Sequence, residues 1–317
     1  SYFCNLKHLF LVYLRVTKFT SYPLKMNHLK SIFTLAIFMF LSTISWSQEK
    51  NVIITIDTLT NEVYMLTGQG GNIGLYVNAT NSFMIDDQFA RLSPKIKQAI
   101  ATITNQPISY LFNTHMHGDH TGGNAEFNTY TTTLIAQDNV RKSLEERLIE
   151  KPELSKEILP EISFSEELKI YQDGETIMAF HVHNAHTNGD AMIYFIKNNV
   201  LHMGDTYFSG RYPYIDLDNG GSVDGYISAQ KKALILIDEL TVIIPGHGRP
   251  SNKKELSTYI AMLEDIKNNT LKAIESGKTL EQVTTDTTIS DIYDNDYGTG
   301  FINPEKLRST FYISLKN

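Results

Sequence analysis

From Asn51 onward the chain alternates apolar and polar positions in short runs, at 52–56, 63–66, 73–77 and 82–85. The breaks are turn residues: Asn61, the Gly68-Gln69-Gly70-Gly71 stretch, and Asn78 through Asn81. Period-two patterning bounded by such residues predicts an antiparallel β-meander. Ser93 as an N-cap with Pro94 at the first helical position opens a helix over 93–104, which leads into a strand at 108–112. A strand at 133–136 and an amphipathic helix at 138–149 follow, and then a second meander at 168–171, 176–182, 191–196 and 200–203. Helices dominate the remainder, at 223–237, 253–276 and 304–315, with one apolar strand at 242–245 between the first two. Two meanders, each followed by helices, suit an α/β fold of two sheets packed face to face with helices outside, a four-layer αββα sandwich. Strand order is not set by periodicity.

The first fifty residues follow another pattern. They contain no acidic residue before Glu49 and carry one apolar run, 32–41, too short to span a bilayer comfortably. Lys25, His28 and Lys30 precede the run and Ser45-Trp46-Ser47 follows it. A basic flank, a short apolar stretch and small residues at a cleavage position are the parts of a secretory signal peptide. The expectation is a leader over 26–47 beginning at Met26, an upstream extension over 1–25, and a single exported domain over 48–317, periplasmic or secreted, with no stable membrane association after cleavage. An uncleaved N-terminal anchor is the alternative.

Composition then narrows the partners. Five of the 28 Lys and Arg fall before Gln48, leaving 23 against 35 acidic residues and a net charge of −12 for residues 48–317. Such a surface repels polyanions, so nucleic acid is not an expected partner and a small-molecule substrate is. The one cysteine, Cys4, lies in the excluded segment, which removes disulfides, thiolate ligands and a cysteine nucleophile from the domain. No Gly-x-Ser-x-Gly elbow is present either.

The candidate chemistry sits directly after the strand at 108–112. The run His115-Met116-His117-Gly118-Asp119-His120 places three imidazoles and one carboxylate within six residues. Imidazole nitrogen and carboxylate oxygen suit a borderline divalent ion such as zinc. A tight turn there would direct His115 and His117 one way and Asp119 and His120 another, serving two adjacent ions, with Gly118 permitting the bend and Gly122-Gly123 allowing close backbone approach.

His-x-His-x-Asp-His after a strand resembles the defining motif of the metallo-β-lactamase superfamily. The resemblance continues in family order through Ala185-His186-Thr187-Asn188-Gly189-Asp190, His202-Met203-Gly204-Asp205 and Ile244-Pro245-Gly246-His247-Gly248, and spans about residues 51 to 260. It implies that His115, His117 and His186 hold one metal, that Asp119, His120 and His247 hold the other, and that Asp205 bridges them, with two Zn2+ ions as the expected cofactors. It implies a hydrolase in which paired ions supply hydroxide at neutral pH and Asp119 orients it or moves its proton, so that Asp119 is the candidate catalytic residue. An aspartate at 205 is similar to hydroxyacylglutathione hydrolases, lactonases and ribonuclease Z relatives, whereas a subclass of true β-lactamases carries cysteine there. The segments from His202 to Asp216 and from Gly220 to Gly225 look like a periplasmic subgroup of these hydrolases. Five of the eight histidines after Gln48 fall on the motif positions; of the other three, His181 and His183 read as structural, and His202 as a plain buried or surface histidine or, alternatively, as a support to the site by hydrogen bonding.

The loop from Thr206 to Asp216 follows a metal-bearing strand and combines aromatics with one arginine, a composition suited to a substrate wall. Arg211 is the candidate recognition group for a substrate carboxylate, with Tyr207 or Tyr212 against its apolar part. Alternatively Arg211 pairs with Asp216 or Asp218. The acidic, glycine- and tyrosine-rich stretch from Asp291 to Phe301 either caps the fold or covers the site. The expected activity is β-lactamase-like hydrolysis of a small cyclic amide, lactone or ester. Hydrolysis of a thioester or phosphodiester, and a non-catalytic periplasmic metal-binding protein, are the alternatives. Oligomeric state is not legible.

Overall fold

The computed structural model describes residues 52–316. The expected upstream extension and leader lie outside the described residues.

Two mixed sheets face each other. The first has seven strands in sequence order: β1 (Thr55–Thr58), β2 (Val63–Thr67), β3 (Ile73–Val77), β4 (Ser82–Ile85), β5 (Ile108–Asn113), β6 (Thr133–Gln137) and β7 (Ile162–Phe164). The expected meander is its antiparallel half, β1 to β4, while β4 to β7 run parallel. The second sheet comprises β8 (Glu167–Gln172), β9 (Glu175–His181), β10 (Ala191–Phe195), β11 (Val200–His202), β12 (Val242–Ile244) and β13 (Ser251–Asn252), in the order β13-β12-β11-β10-β9-β8. Here β11 and β12 are parallel and the other neighbours antiparallel.

Alternation along each strand divides its side chains between two layers. Val63, Met65, Phe83, Ile85 and Phe112 of the first sheet meet Ile177, Ala179, Ile193, Phe195 and Ile244 of the second, which forms the inter-sheet core. Leu66, Leu75, Met84, Leu111 and Leu134 point the other way and pack on α1 (Ser93–Ala101) through Ile96 and Ile100. Beyond α2 (Gly118–Thr121) and α3 (Asn124–Phe127), the helix α4 (Asp138–Glu150) lays Val140 and Leu144 on Ala136 of β6. On the far side, Phe180, Met192, Leu201 and Ile243 bury against α5 (Val223–Leu236), α6 (Lys253–Glu275) and the C-terminal group α7 (Leu280–Thr285), α8 (Asp291–Tyr297) and α9 (Pro304–Lys316). The four-layer αββα sandwich is therefore the observed architecture. Among the described residues no helix is long and apolar enough to cross a membrane.

Aromatic contacts centre the inter-sheet layer. Tyr76 lies 5.7 Å from Phe83 and stacks 5.4 Å from Phe195 on the opposite sheet, and Phe83 stacks on Tyr110 at 4.8 Å. Such pairs add to area burial because each ring sets its edge or offset face against its neighbour. Removing Phe195 would leave a ring-sized gap between two sheets that cannot close on it. Phe195→Ala is expected to lower the unfolding free energy by about 3–5 kcal/mol, read as a shift of the denaturant midpoint with unchanged slope.

Candidate metal centre

Four segments deliver side chains to the ends of β5, β9, β11 and β12. The strand β5 ends at Asn113, Thr114 to His117 form an extended exit, and the single turn of α2 carries Asp119 and His120. The α4 residue Arg147 fixes this exit, donating to the Met116 carbonyl at 2.6 Å and to Thr121 Oγ1 at 3.2 Å. The loop after β9 is shaped by Asp190, whose carboxylate accepts from the backbone N–H groups of His186 and Thr187 and from the Thr187 hydroxyl. Asp205 sits in a short 3₁₀ turn after β11, and His247 in the loop after β12.

Seven side chains converge in two groups, His115, His117, His186 and Asp205 in one and Asp119, His120 and His247 in the other. Within the first, His117 Nδ1 lies 3.2 Å from His115 Nε2 and 2.9 Å from His186 Nε2. Within the second, His120 Nε2 is 3.4 Å from His247 Nε2, which is 3.3 Å from Asp119 Oδ2. Asp205 faces both. Its Oδ2 is 3.7 Å from His115 and 3.5 Å from His186, and its Oδ1 is 3.0 Å from His120 and 3.5 Å from His247.

The outward nitrogens determine what the inward ones can do. His186 Nδ1 meets the Tyr214 carbonyl at 2.8 Å and His117 Nε2 meets an Asp216 carboxylate oxygen at 2.8 Å. Both partners only accept, so both ring nitrogens donate. The Thr114 hydroxyl gives its proton to Asp86 at 2.7 Å and therefore accepts from His115 Nδ1 at 3.0 Å. In the neutral form of each ring the nitrogen facing the cluster is therefore a lone pair, available to a cation. Lone pairs on His115 and His186 at 3.2 and 2.9 Å from one on His117 repel it unless a cation accepts them. Asp205 Oδ1 is buried and makes no hydrogen bond of good geometry, its nearest polar neighbours being the His120 and His247 ring nitrogens at 3.0 and 3.5 Å. These donors fit a divalent ion of the zinc type, with partners holding each ring from behind.

Electrostatics separate the two groups. Burial, reinforced by the neighbouring imidazoles, pushes His115 well below the usual histidine range and lowers His186 to about 4, despite the Asp205 charge. In the second group burial is overcome: the carboxylates of Asp205 and Asp86 raise His120 well above its ordinary value, and Asp205 with Asp119 raises His247 to about 9. Burial is also outweighed at the acids, since His120 and His247 hold Asp205 well down and His247 holds Asp119 down. Without a metal, protons on His120 and His247 balance the carboxylates, and a metal must displace them.

Several supports were not legible in the sequence. Asp86, buried at the end of β4 with a φ of 60°, accepts from Thr114 N–H, the Thr114 hydroxyl and His120 Nδ1. Asn72 stitches the first sheet to the His247 loop: its N–H donates to the Gly246 carbonyl and its side-chain amide to the carbonyls of Pro245 and Gly248. His202 is a buried histidine that also takes the alternative, supporting place, its Nε2 contacting the Asn72 carbonyl at 3.1 Å and its Nδ1 accepting from Gly204 N–H at 3.1 Å. Two glycines are required by close approach. A Cβ at Gly71 would come within 2.0 Å of the His120 ring, and one at Gly246 within 2.0 Å of Asp205 Oδ1. Gly118 differs from expectation: it starts α2, a Cβ there would meet open space, and the bend does not depend on it.

His181 and His183 lie outside the cluster. His181 is buried on the Asp190 carbonyl at 2.7 Å, and His183 is 65% exposed beside Glu166. Beside the cluster opens a cavity of about 460 Å³, walled by Phe89, Phe208, Arg211, Tyr212, Tyr214 and Phe301, with Asp119, Asp205 and His247 at its floor. Tyr207 is a correction. Its ring is buried in the helix-side core against Tyr259 and its hydroxyl is bonded to Ser251 at 2.8 Å, so it does not line the cavity. Strand alternation in the strap sends Phe208 to the cavity instead. Tyr212 lines the cavity with its hydroxyl tied to Asp294 at 2.7 Å. Arg211 is exposed at the cavity and forms no ion pair among the described residues; Asp216, its alternative partner, is engaged by His117 and Asn219.

The chain belongs to the metallo-beta-lactamase superfamily, whose family profile matches residues 66–247. Solved structures with this fold include the DIM-1 metallo-beta-lactamase, at a TM-score of 0.57 and 18% identity over 68% of this chain and 99% of that one. A metallo-beta-lactamase from Pontibacter korlensis is similar at a TM-score of 0.55 and 14% identity, over 67% of this chain and 99% of that one. The stereoselective inverting sec-alkylsulfatase Pisa1 from Pseudomonas sp. gives a TM-score of 0.66 at 14% identity, over 82% of this chain and 50% of that chain. A sequence search of curated proteins finds no match. Members of the superfamily are mostly metal-dependent hydrolases, and the cluster supplies groups that could hold divalent ions.

Two substitutions separate ligand from bystander. His186→Ala is expected to lose metal relative to the unaltered protein by elemental analysis after dialysis, and His183→Ala to keep its full complement. Asp86→Ala, which frees the His120 ring, is expected to weaken metal binding about 10–100-fold in competition with a chromophoric chelator.

Proposed function

We propose that this protein is an exported dinuclear-metal hydrolase acting on a small ester, lactone or cyclic amide that carries an anionic group. The convergence of imidazole nitrogens and carboxylate oxygens in two adjoining groups that both face Asp205 carries the reading. In it, His115, His117 and His186 would hold one ion and Asp119, His120 and His247 the other, with Asp205 placed to serve both. Zn2+ is the ion best matched to this nitrogen and oxygen set. Export rests on the leader-like stretch before Gln48.

When bound, the ions supply a water acidic enough to ionise near neutral pH and a Lewis acid for the scissile oxygen. The residues do the remainder. Asp119 is partly exposed at the cavity floor, where its carboxylate can take a proton from attacking water and pass it to the leaving group. Asp216, Tyr214 and Asp86 keep the rings in one tautomer throughout. Phe208 stacks on His247 at 5.3 Å and screens that ring from solvent. Arg211 presents a planar fork at the cavity, suited to a carboxylate or sulfate. The cavity beside the cluster favours turnover over metal storage, which would close the coordination sphere.

The full chain, loaded with zinc, is tested against a chromogenic β-lactam, an aryl ester, a lactone and a secondary alkyl sulfate. Turnover of at least one is expected, abolished by a chelator and restored by zinc. Two ions bound with no turnover across that panel, extended to thioesters and phosphodiesters, would favour the binding protein. Arg211→Met is expected to raise KM for the anionic substrate by roughly tenfold with little change in kcat, because a charge-assisted hydrogen bond is lost from binding; an unchanged KM sinks the Arg211 assignment.

A further inference from the structure

The family match ends at residue 247, yet the cavity does not. Its outer wall comes from Phe301 and Ile302, in the turn between α8 and α9. This stretch is built into the site. The Tyr212 N–H donates to the Tyr297 carbonyl at 2.9 Å, the Tyr212 hydroxyl donates to Asp294, and Arg308 of α9 holds Asp294 from behind at 3.4 Å. Gly300 packs on the aliphatic stem of Arg211, where a Cβ would lie 3.4 Å from its Cδ.

Phe301 occupies an unusual position within it. Its ring is edge-on to Tyr214 at 5.9 Å, and Tyr214 in turn lies 5.6 Å from His186 and 5.8 Å from His117. The Lys306 ammonium stands 5.0 Å from the Phe301 centroid. Despite these neighbours the residue is 76% exposed at the cavity mouth. Exposed aromatic surface beside a cavity, next to an arginine that forms no ion pair among the described residues, matches a ligand with an aryl group on one side of the reacting bond and an anionic group on the other.

We propose that Phe301, carried by the C-terminal segment beyond the family match, is a specificity-determining residue that seats an aryl group of the substrate against Tyr214 while Arg211 takes its anionic end. The proposal rests on the hydrolase reading for its meaning but is tested without turnover. The full chain is titrated with 1-anilinonaphthalene-8-sulfonate, an aryl sulfonate probe, and the probe is displaced with phenylacetate or acetate. One equivalent of probe binds, and phenylacetate displaces it about tenfold more effectively than acetate, as expected for burying one ring face. Phe301→Ala removes most of that preference, Phe301→Trp retains it, and Ile292→Ala, an equally exposed apolar truncation on α8 away from the cavity, leaves it intact. Thermal midpoints of the variants report folding, and Phe301→Trp supplies the answer should the alanine variant be poorly folded. Absence of stoichiometric probe binding, equal displacement by both carboxylates, or a preference that survives Phe301→Ala overturns the proposal. None of these outcomes bears on chelator-sensitive turnover, so failure of the aryl seat and failure of the hydrolase reading are told apart.

Discussion

Repulsion between imidazole lone pairs is the constraint on which the rest of this structure depends. Three rings are each held by an acceptor behind them, so that in the neutral form each turns a lone pair toward the cluster. Holding them together requires a rigid frame and a cation, and much of the fold supplies the frame. Two sheets packed through an aromatic layer set the four loop origins, Asp86 and Asp190 shape two of the loops from within, and Arg147 and Asn72 hold the other backbones at fixed distance. Ordinary cores avoid such arrangements of buried polar groups, since each one left unpartnered is costly.

The fold was largely legible because its signals are local. Strands at 73–77 and 82–85 are found at the boundaries that alternation and turn residues predict, and the helices at 138–149, 223–237, 253–276 and 304–315 differ only at their ends. What periodicity missed has a physical reason. Strands β7 and β13 are too short to show a period, and the parallel pairings of β4 to β7 and of β11 with β12 are long-range choices invisible to alternation. The one-turn helix α2 was read as a glycine bend because four residues give no helical repeat.

At the site, the ligand types clustered in sequence at 115–120 but His186, Asp205 and His247 were placed by resemblance alone, and the structure gathers all seven. Asp86 and Asn72 escaped notice, and Asp216 was considered only as a partner for Arg211, because the contacts that matter at the site join residues far apart along the chain. Tyr207 and Phe208 show the limit most plainly. Composition marks both as wall residues, but only the backbone course decides which faces the cavity and which the helices. The stretch from Asp291 to Phe301 does both things that its composition allowed, since α8 packs in the helix layer while Phe301 overhangs the cavity.

The two walls of the cavity differ in how freely evolution can alter them. Asp216 closes the strap that begins at Phe208, donates its N–H to the His186 carbonyl, and accepts from His117, so the strap is mechanically continuous with two of the candidate ligands. Sequence drift from Arg211 to Ile215 is thereby penalised through the centre itself, whatever it does for substrate choice. Among the described residues the Phe301 ring stacks on no candidate ligand directly and reaches His117 and His186 through Tyr214. A lineage could exchange the residues of that turn one at a time while the reactive centre stays intact, which makes the C-terminal segment the part of this protein where new substrate preferences are easiest to acquire.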